Sequence, residues 1–221
     1  MKKSVDFLQT LLYNIPMIRE RMRSFKEYKE LGSLNIFDID DTLFHTTAKI
    51  TVVKDGKVVR KLSNSEYNTD RLKAGESYDY SEFKDAAKFY KESTPITRMI
   101  SKAKNLVNNM NNPNSRAIII TARANFDNRD KFLATFRKHG FPIDKVYVER
   151  AGNMSDLTGG PAAKKAIIIR KYLKEGNFKK VRLFDDAMGN LTEFLKLKRE
   201  FPNVQFNAYL ADDKGGIKTI R

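Results

Sequence analysis

The chain contains no cysteine and no tryptophan, and its only histidines are His45 and His139. Without thiols it has no disulfide, no thiolate metal site and no cysteine nucleophile. Two imidazoles are too few for a multi-histidine metal centre, so any metal here is expected to be a hard cation held by carboxylates. Long apolar runs are also missing: no stretch approaches the roughly 18 residues of a membrane span. The segment after Met1-Lys2-Lys3 is interrupted by Asp6, Gln9 and Asn14, unlike a secretory leader. A cytoplasmic protein without membrane contact is the expectation. No Gly-x-x-x-x-Gly-Lys-Ser/Thr loop is present, which argues against a nucleotide kinase activity.

Positive charge, by contrast, is abundant. The 42 basic residues outnumber the 27 acidic ones and give a formal charge of +15. Two readings stay open, namely attraction to a polyanion such as nucleic acid and a lysine-rich solvated surface, because the cations are spread along the whole chain. A hydrophobic fraction of 41% and a charged fraction of 31% over 221 residues fit a globular domain with room for a modest insertion.

Apolar spacing at Phe7, Leu8, Leu11, Leu12 and Ile15 predicts a helix over residues 4–31, with Pro16 as a possible break. A short apolar strand, Leu34 to Phe37, then runs into Asp38. Ile50 to Val53 and Val58 to Leu62 read as a hairpin closed by Asp55-Gly56. Residues 63–93 are polar with scattered aromatics and take only a loose assignment; their tyrosines suit base stacking and internal packing equally. Thr94 and Pro95 read as N-cap and first residue of a helix. Strands follow at Ala117–Ile120, Lys145–Glu149, Val181–Phe184 and Val204–Leu210. Between them come helices from about Asp127 to Gly140, from Pro161 to Gly176 and from Leu191 to Glu200. Strands alternating with helices predict βαβ units and a parallel sheet covered on both faces.

Ligands of such sheets bind beyond the carboxyl ends of the strands. Three apolar strands end there in polar residues: Asp38-Ile39-Asp40-Asp41-Thr42, Thr121-Ala122-Arg123, and Asp185-Asp186. Side by side, these tips gather carboxylates that repel one another unless a cation sits among them. Magnesium suits that donor set, because it prefers oxygen ligands and bridges carboxylates to phosphate. A lone Asp-x-Asp is most simply a surface helix cap; the recurrence of strand, polar tip and helix is far more specific.

With these residues in view, the chain resembles the haloacid dehalogenase (HAD)-like superfamily of phosphohydrolases. The matching pieces are Phe37-Asp38-Ile39-Asp40-Asp41-Thr42-Leu43, Thr121, a lysine at a helix start near 165, and Phe184-Asp185-Asp186, covering residues 34–212 in order. The resemblance implies a Rossmann-like three-layer α/β/α domain with a parallel five-stranded sheet of order 5-4-1-2-3. It also implies a β-hairpin flap and a small cap-like insertion at about 45–93. The chain then divides into an N-terminal helical segment, 1–33, and a catalytic domain, 34–221. Asp41 departs from the pattern, since many members carry glycine there; aspartate tolerates unusual backbone angles better than most residues.

The activity so implied is a magnesium-dependent phosphatase that works through an aspartyl-phosphate. Asp38 is the expected nucleophile and Asp40 the general acid and base. Thr121 is expected to donate to a phosphoryl oxygen, and a lysine to neutralise the transferring group. Lys165 is preferred to Lys164, because it lies three, four and seven positions before Ile168, Ile169 and Tyr172 and so shares their sheet-facing side. Magnesium ligands are expected from Asp38, the Asp40 carbonyl, Asp185 and Asp186. Thr42 and Arg123 are the candidate substrate contacts; a Thr-x-Arg pattern resembles members acting on nucleotides or polynucleotide ends. His45 reads as a loop histidine and His139 as a cation at a helix C-terminus. The expected substrate is a nucleotide or nucleic-acid phosphate end. The alternatives are a small-metabolite phosphate, or nucleic-acid binding by a protein whose phosphatase site is vestigial.

Overall fold

The computed structural model describes residues 31–221, so the helix expected from residue 4 lies outside the described residues. In chain order the elements are β1 (Gly32–Phe37), β2 (Phe44–His45), β3 (Ile50–Lys54), β4 (Lys57–Leu62), α1 (Asn64–Thr69), β5 (Glu76–Asp79), α2 (Ala86–Glu92), β6 (Thr94–Pro95), α3 (Thr97–Asn108) and β7 (Arg116–Thr121). They continue with α4 (Arg129–Lys138), β8 (Tyr147–Arg150), α5 (Pro161–Glu175), β9 (Phe178–Asp185), α6 (Met188–Lys196), β10 (Gln205–Ala211) and β11 (Ile217–Ile220). Among the described residues, no helix is long and apolar enough to cross a membrane.

The main sheet has the order β11-β10-β9-β1-β7-β8. Every neighbouring pair is parallel except β10 with β11. It therefore has six strands where five were expected. The additional edge strand is returned by a turn in which the Asp212 side chain accepts from the amides of Lys214 (2.9 Å) and Gly216 (2.7 Å). That local bond offers the backbone a tight reversal.

Alternation along the strands divides the core in two. Phe37 and Ile119 face one side, where Met99 and Ala103 of α3 and Phe132 and Phe136 of α4 cover them. Leu34, Ile36, Ile118 and Ile120 face the other, under Ile168 and Ile169 of α5 and Leu191 and Phe194 of α6. The central strands are apolar on both faces because both faces are covered. The register Phe37↔Ile119 and Phe37↔Phe184 sets the tips of β1, β7 and β9 at one edge of the sheet.

Residues 46–93 leave and rejoin this body through the antiparallel pair β2–β6, Phe44 opposite Pro95 and His45 opposite Thr94. Thr94 and Pro95 are thus strand residues, and α3 starts at Thr97 with Ile96 as its N-cap, which has no side-chain cap bond. The excursion carries its own three-stranded sheet, β4-β3-β5, over a small cluster of Ile50, Val52 and Leu62. Asp55 (φ 49°) and Gly56 (φ 72°) close the β3–β4 hairpin, with the left-handed φ at both central residues that a type I′ turn requires. Arg60 ties the unit together by bonding Asp70 (2.9 Å) and Glu76 (2.9 Å). Tyr67 meets Tyr78 edge to face at 4.9 Å, and its hydroxyl lies 2.8 Å from that of Tyr80. These tyrosines pack on one another.

Candidate active site

Asp38 follows the last residue of β1 and is buried, its amide donating to the Phe184 carbonyl of β9 at 3.0 Å. The next residues wrap round the Ile39 carbonyl, which accepts from the amides of Leu43 (2.9 Å) and Phe44 (3.0 Å). So tight a loop needs a left-handed residue, and Asp41 supplies it with φ 57°. Aspartate bears that conformation at less cost than a β-branched residue.

Lys165 projects from the second turn of α5, where Pro161 occupies the first helical position. Its side chain is buried, and Nζ donates to Asp38 Oδ1 at 2.6 Å and to Asp185 Oδ2 at 2.8 Å. Helical spacing dictates this: Lys165 shares a face with buried Ile168 and Ile169, whereas Lys164 is partly exposed. The other oxygen of Asp185 accepts from the Ala187 amide (3.0 Å) and from Asn190 Nδ2 (2.7 Å). Asp186 is exposed, and Thr42 Oγ1 donates to it over 3.4 Å.

Thr121, at the end of β7, is fully buried, and its hydroxyl oxygen accepts from the Arg123 amide at 3.1 Å. The hydroxyl proton is left for another acceptor. Arg123 departs from the expectation of a substrate contact. It is 4% exposed and turned onto Asp40, with Nη2 at 2.6 Å from Oδ1 and Nε at 2.9 Å from Oδ2. Nη1 donates to the Phe83 carbonyl at 3.0 Å, and the guanidinium lies over the rings of Phe83 (4.6 Å), Phe89 (5.2 Å) and Phe126 (5.4 Å). Thr46 Oγ1 adds a bond to Asp40 Oδ1 at 2.7 Å. The insertion therefore holds Asp40 from two sides, through Thr46 and through Phe83.

The charges respond to these neighbours. Burial raises Asp38 well above the usual carboxylate range; Lys165 opposes the rise, and Asp185 and Asp186 add to it. Asp186, open to solvent on one side but dehydrated by the protein on the other, is pushed up to about 7 by that desolvation and then by Asp185 and Asp41, again against Lys165. Burial would raise Asp40 as well, but the Arg123 charge and hydrogen bonds outweigh it and hold this carboxyl below its ordinary value. For Lys165 desolvation works against the ammonium form, yet Asp185 and Asp38 outweigh it and push the group upward. Two neighbouring carboxylates are thus driven in opposite directions, Asp38 toward the proton and Asp40 away from it.

Asp38, Asp185 and Asp186 offer one oxygen each within 4.8 Å of one another. The residues fit a hard divalent cation: the donors are carboxylates, two are buried, and their mutual repulsion adds to the rise that burial imposes on Asp38 and Asp186. The Asp40 side chain belongs to Arg123 instead, which leaves only its backbone carbonyl for such an ion. Saturating magnesium near pH 8 is expected to raise the thermal midpoint by about 5–10 °C, from about 2.7 kcal/mol at a hundred times Kd. A group titrating at about 7 is protonated below that value, and protons then compete with the cation. The rise should therefore shrink at about pH 5.5, and differential scanning fluorimetry at both pH values reads it.

Three supporting residues escaped the sequence reading. Asn190 holds Asp185, Thr46 holds Asp40, and Asn64 Nδ2 donates to Asp41 Oδ2 at 3.1 Å. Only Asn190 left a trace, as an amide in the first turn of the helix that follows the acidic pair. His45 lies with Nε2 at 2.9 Å from the Asp213 carbonyl and Nδ1 at 3.6 Å from Asp41 Oδ1. His139 caps α4, but burial and then Lys138 lower its pKa, so it stands neutral at pH 7 rather than as the cation expected from its position.

No protein-family model matches the chain, and no curated protein matches it. Among solved structures it is similar to the HAD domain of the effector protein Lem4 from Legionella pneumophila, at 12% identity and a TM-score of 0.47, covering 85% of this chain and 89% of that one. An inactive mutant of the same domain gives 11% identity and a TM-score of 0.48, covering 83% and 87%.

Proposed function

We propose that this protein is a magnesium-dependent phosphatase of the HAD-like kind, cleaving a phosphomonoester through an aspartyl-phosphate on Asp38. The observation that carries the reading is the buried Asp38–Lys165–Asp185 array, with Lys165 Nζ at 2.6 Å and 2.8 Å from the two carboxylates and Asp186 beside them. One buried ammonium is shared by two carboxylates, with a third beside them, at the carboxyl ends of parallel strands. The desolvation cost of such a set makes it a poor stabilising device and a suitable anion-transfer site.

In this reading the free oxygen of Asp38 attacks phosphorus, the P–O bond to the leaving group breaks, and an acyl phosphate forms. Lys165 holds the nucleophile in line and meets the negative charge on the transferring group, as Thr121 does with its hydroxyl proton. For the departing oxygen Asp40 must act from its minor protonated form, since Arg123 holds the carboxyl below its ordinary value; ionised, it then takes a proton from the water that hydrolyses the acyl phosphate. Arg123 and Thr46 fix the Asp40 carboxylate for both steps. A magnesium ion held by Asp38, Asp185, Asp186 and the Asp40 carbonyl would supply charge neutralisation of the phosphate.

A phosphate-release panel with magnesium tests the reading, spanning nucleoside monophosphates, 3′- and 5′-phosphorylated oligonucleotides and sugar phosphates. Release from at least one class, abolished by EDTA and restored by magnesium, is expected. Salt-dependent binding of RNA or DNA with no turnover of any class at saturating magnesium would favour a vestigial site instead.

A further inference from the structure

A second, half-buried guanidinium, that of Arg150, stands at the same edge of the sheet. Alternation at the end of β8 sends Glu149 toward α5, where it accepts from the Tyr172 hydroxyl at 2.6 Å. It sends Arg150 to the opposite face, over the Phe132 ring at 5.2 Å. Phe132 stacks on Phe126 at 4.5 Å, and Phe126 lies beneath Arg123. Arg123 and Arg150 thus share one aromatic floor.

They differ in charge balance. Arg123 is matched by Asp40, whereas Arg150 is in no ion pair among the described residues. Its Nε is buried without a hydrogen-bond partner, and Nη1 reaches only the Val148 carbonyl, at 3.4 Å. Burial, then the positive charge of Arg129, disfavours its charged form, and Glu149 on the other face offsets little of this. Arg129, the exposed first residue of α4, likewise enters no ion pair among the described residues. Two neighbouring cations in no direct ion pair, one of them half-buried, are costly unless an anion joins them, since Asp144 and Glu149 act on them only at a distance.

Position makes that anion part of the substrate. Arg150 is in register with Thr121, and the loops beyond the two strands are sewn together. The Gly152 amide donates to the Arg123 carbonyl at 3.3 Å, and the Asn125 amide donates to Asn153 Oδ1 at 3.0 Å. A Cβ on Gly152 would stand 2.5 Å from the Ala122 carbonyl oxygen, so only glycine permits the seam. Two strand spacings, about 10 Å, separate the backbone of Arg150 from that of β1, a span that one flexible side chain and one short substrate linker can bridge.

We propose that Arg150, with Arg129 beside it, is a subsite for a second phosphate of the substrate. The substrate class is then a phosphomonoester with a further phosphate nearby, either a small bisphosphate or a phosphate end followed by a phosphodiester. This rests on the phosphatase reading above.

The test compares wild type, Arg150→Gln, Arg150→Lys and Arg129→Gln on adenosine 5′-monophosphate, adenosine 3′,5′-bisphosphate and a 5′-phosphorylated dinucleotide. Wild type is expected to show a KM about 10- to 100-fold lower for a doubly phosphorylated substrate than for the monophosphate. Arg150→Gln should bring that ratio near unity through KM rather than kcat, Arg150→Lys should restore part of it, and Arg129→Gln should reduce it. A preference confined to the bisphosphate assigns a small molecule; one confined to the dinucleotide assigns a nucleic-acid end. An unchanged ratio in Arg150→Gln, or equal loss on all substrates with a lowered thermal midpoint, overturns the subsite. Should wild type hydrolyse neither these nor any class of the phosphate-release panel, the phosphatase reading falls by itself. Equilibrium binding of adenosine 3′,5′-bisphosphate then decides the subsite: about tenfold weaker binding by Arg150→Gln sustains it, and equal binding ends it.

Discussion

Phosphate release by an Asp38→Asn protein is expected to fall on the order of 10⁴-fold or more below wild type, as when a covalent nucleophile is removed elsewhere. Asparagine keeps the shape of the side chain and an oxygen that can accept from Lys165, but its amide cannot form an acyl phosphate at a useful rate. The protein should remain folded, because burial and the neighbouring carboxylates already raise Asp38 far above its unfolded value. A carboxyl with a raised pKa favours folding at low pH and opposes it once ionised. The neutral amide removes that opposition at pH 7, while weakening one of the two bonds to Lys165. A steady-state phosphate assay beside a thermal melt checks both halves. Turnover within about tenfold of wild type would mean that another group attacks phosphorus, or that the release comes from a contaminant.

Lys165→Met should damage both stability and turnover. Methionine fills nearly the same volume, so packing against Ile168 and Ile169 survives. The ammonium between Asp38 and Asp185 does not. Removing one member of a buried ion set leaves uncompensated charge, at a cost of about 3–5 kcal/mol. Lys165 has a raised pKa, so its contribution is fully present below the ordinary lysine value and is lost only as pH rises through the higher folded one. The destabilisation should therefore be complete at neutral pH. Turnover should fall by about 10²–10³ through the lost stabilisation of the transferring phosphoryl group. Urea midpoints and the phosphate assay read the two effects, and Lys164→Ala is the comparison. An inactive Lys164→Ala protein beside an active Lys165→Met protein would reverse the assignment.

The acidic strand ends were legible in the sequence because their signal is local. An apolar strand buried on both faces must be a continuous run, and Ile118, Ile119 and Ile120 show where it stops and polar chemistry begins. The choice of Lys165 was equally local, since the spacing to Ile168 and Ile169 is a helical repeat. The orientation of Arg123 was not legible: its partners are the Phe83 carbonyl and Asp40, each far away in sequence, and no spacing rule links them. Edge strand β11 was missed because Ile217-Lys218-Thr219-Ile220 carries little apolar signal and is defined by the Asp212 turn before it. The elements of residues 63–93 were missed because they are short and held by the Arg60–Asp70–Glu76 ion set rather than by a periodic apolar face. His139 misled because position at a helix end suggested a cation, whereas its burial against Phe44, at 5.6 Å between ring centres, keeps it neutral.

Residues 46–93 depart and return through two adjacent backbones, Phe44–His45 and Thr94–Pro95, and they bring a small core of their own. Of that segment the three-stranded sheet can be shortened, enlarged or exchanged, whereas α2 is fixed in the main core through Ala86 and Phe89. What crosses the stem into the chemistry is confined to a few contacts, chiefly Thr46, Asn64 and the Phe83 carbonyl. That sheet can therefore vary in size without disturbing the acidic cluster, provided the contacts of Thr46, Asn64 and Phe83 with Asp40, Asp41 and Arg123 are retained.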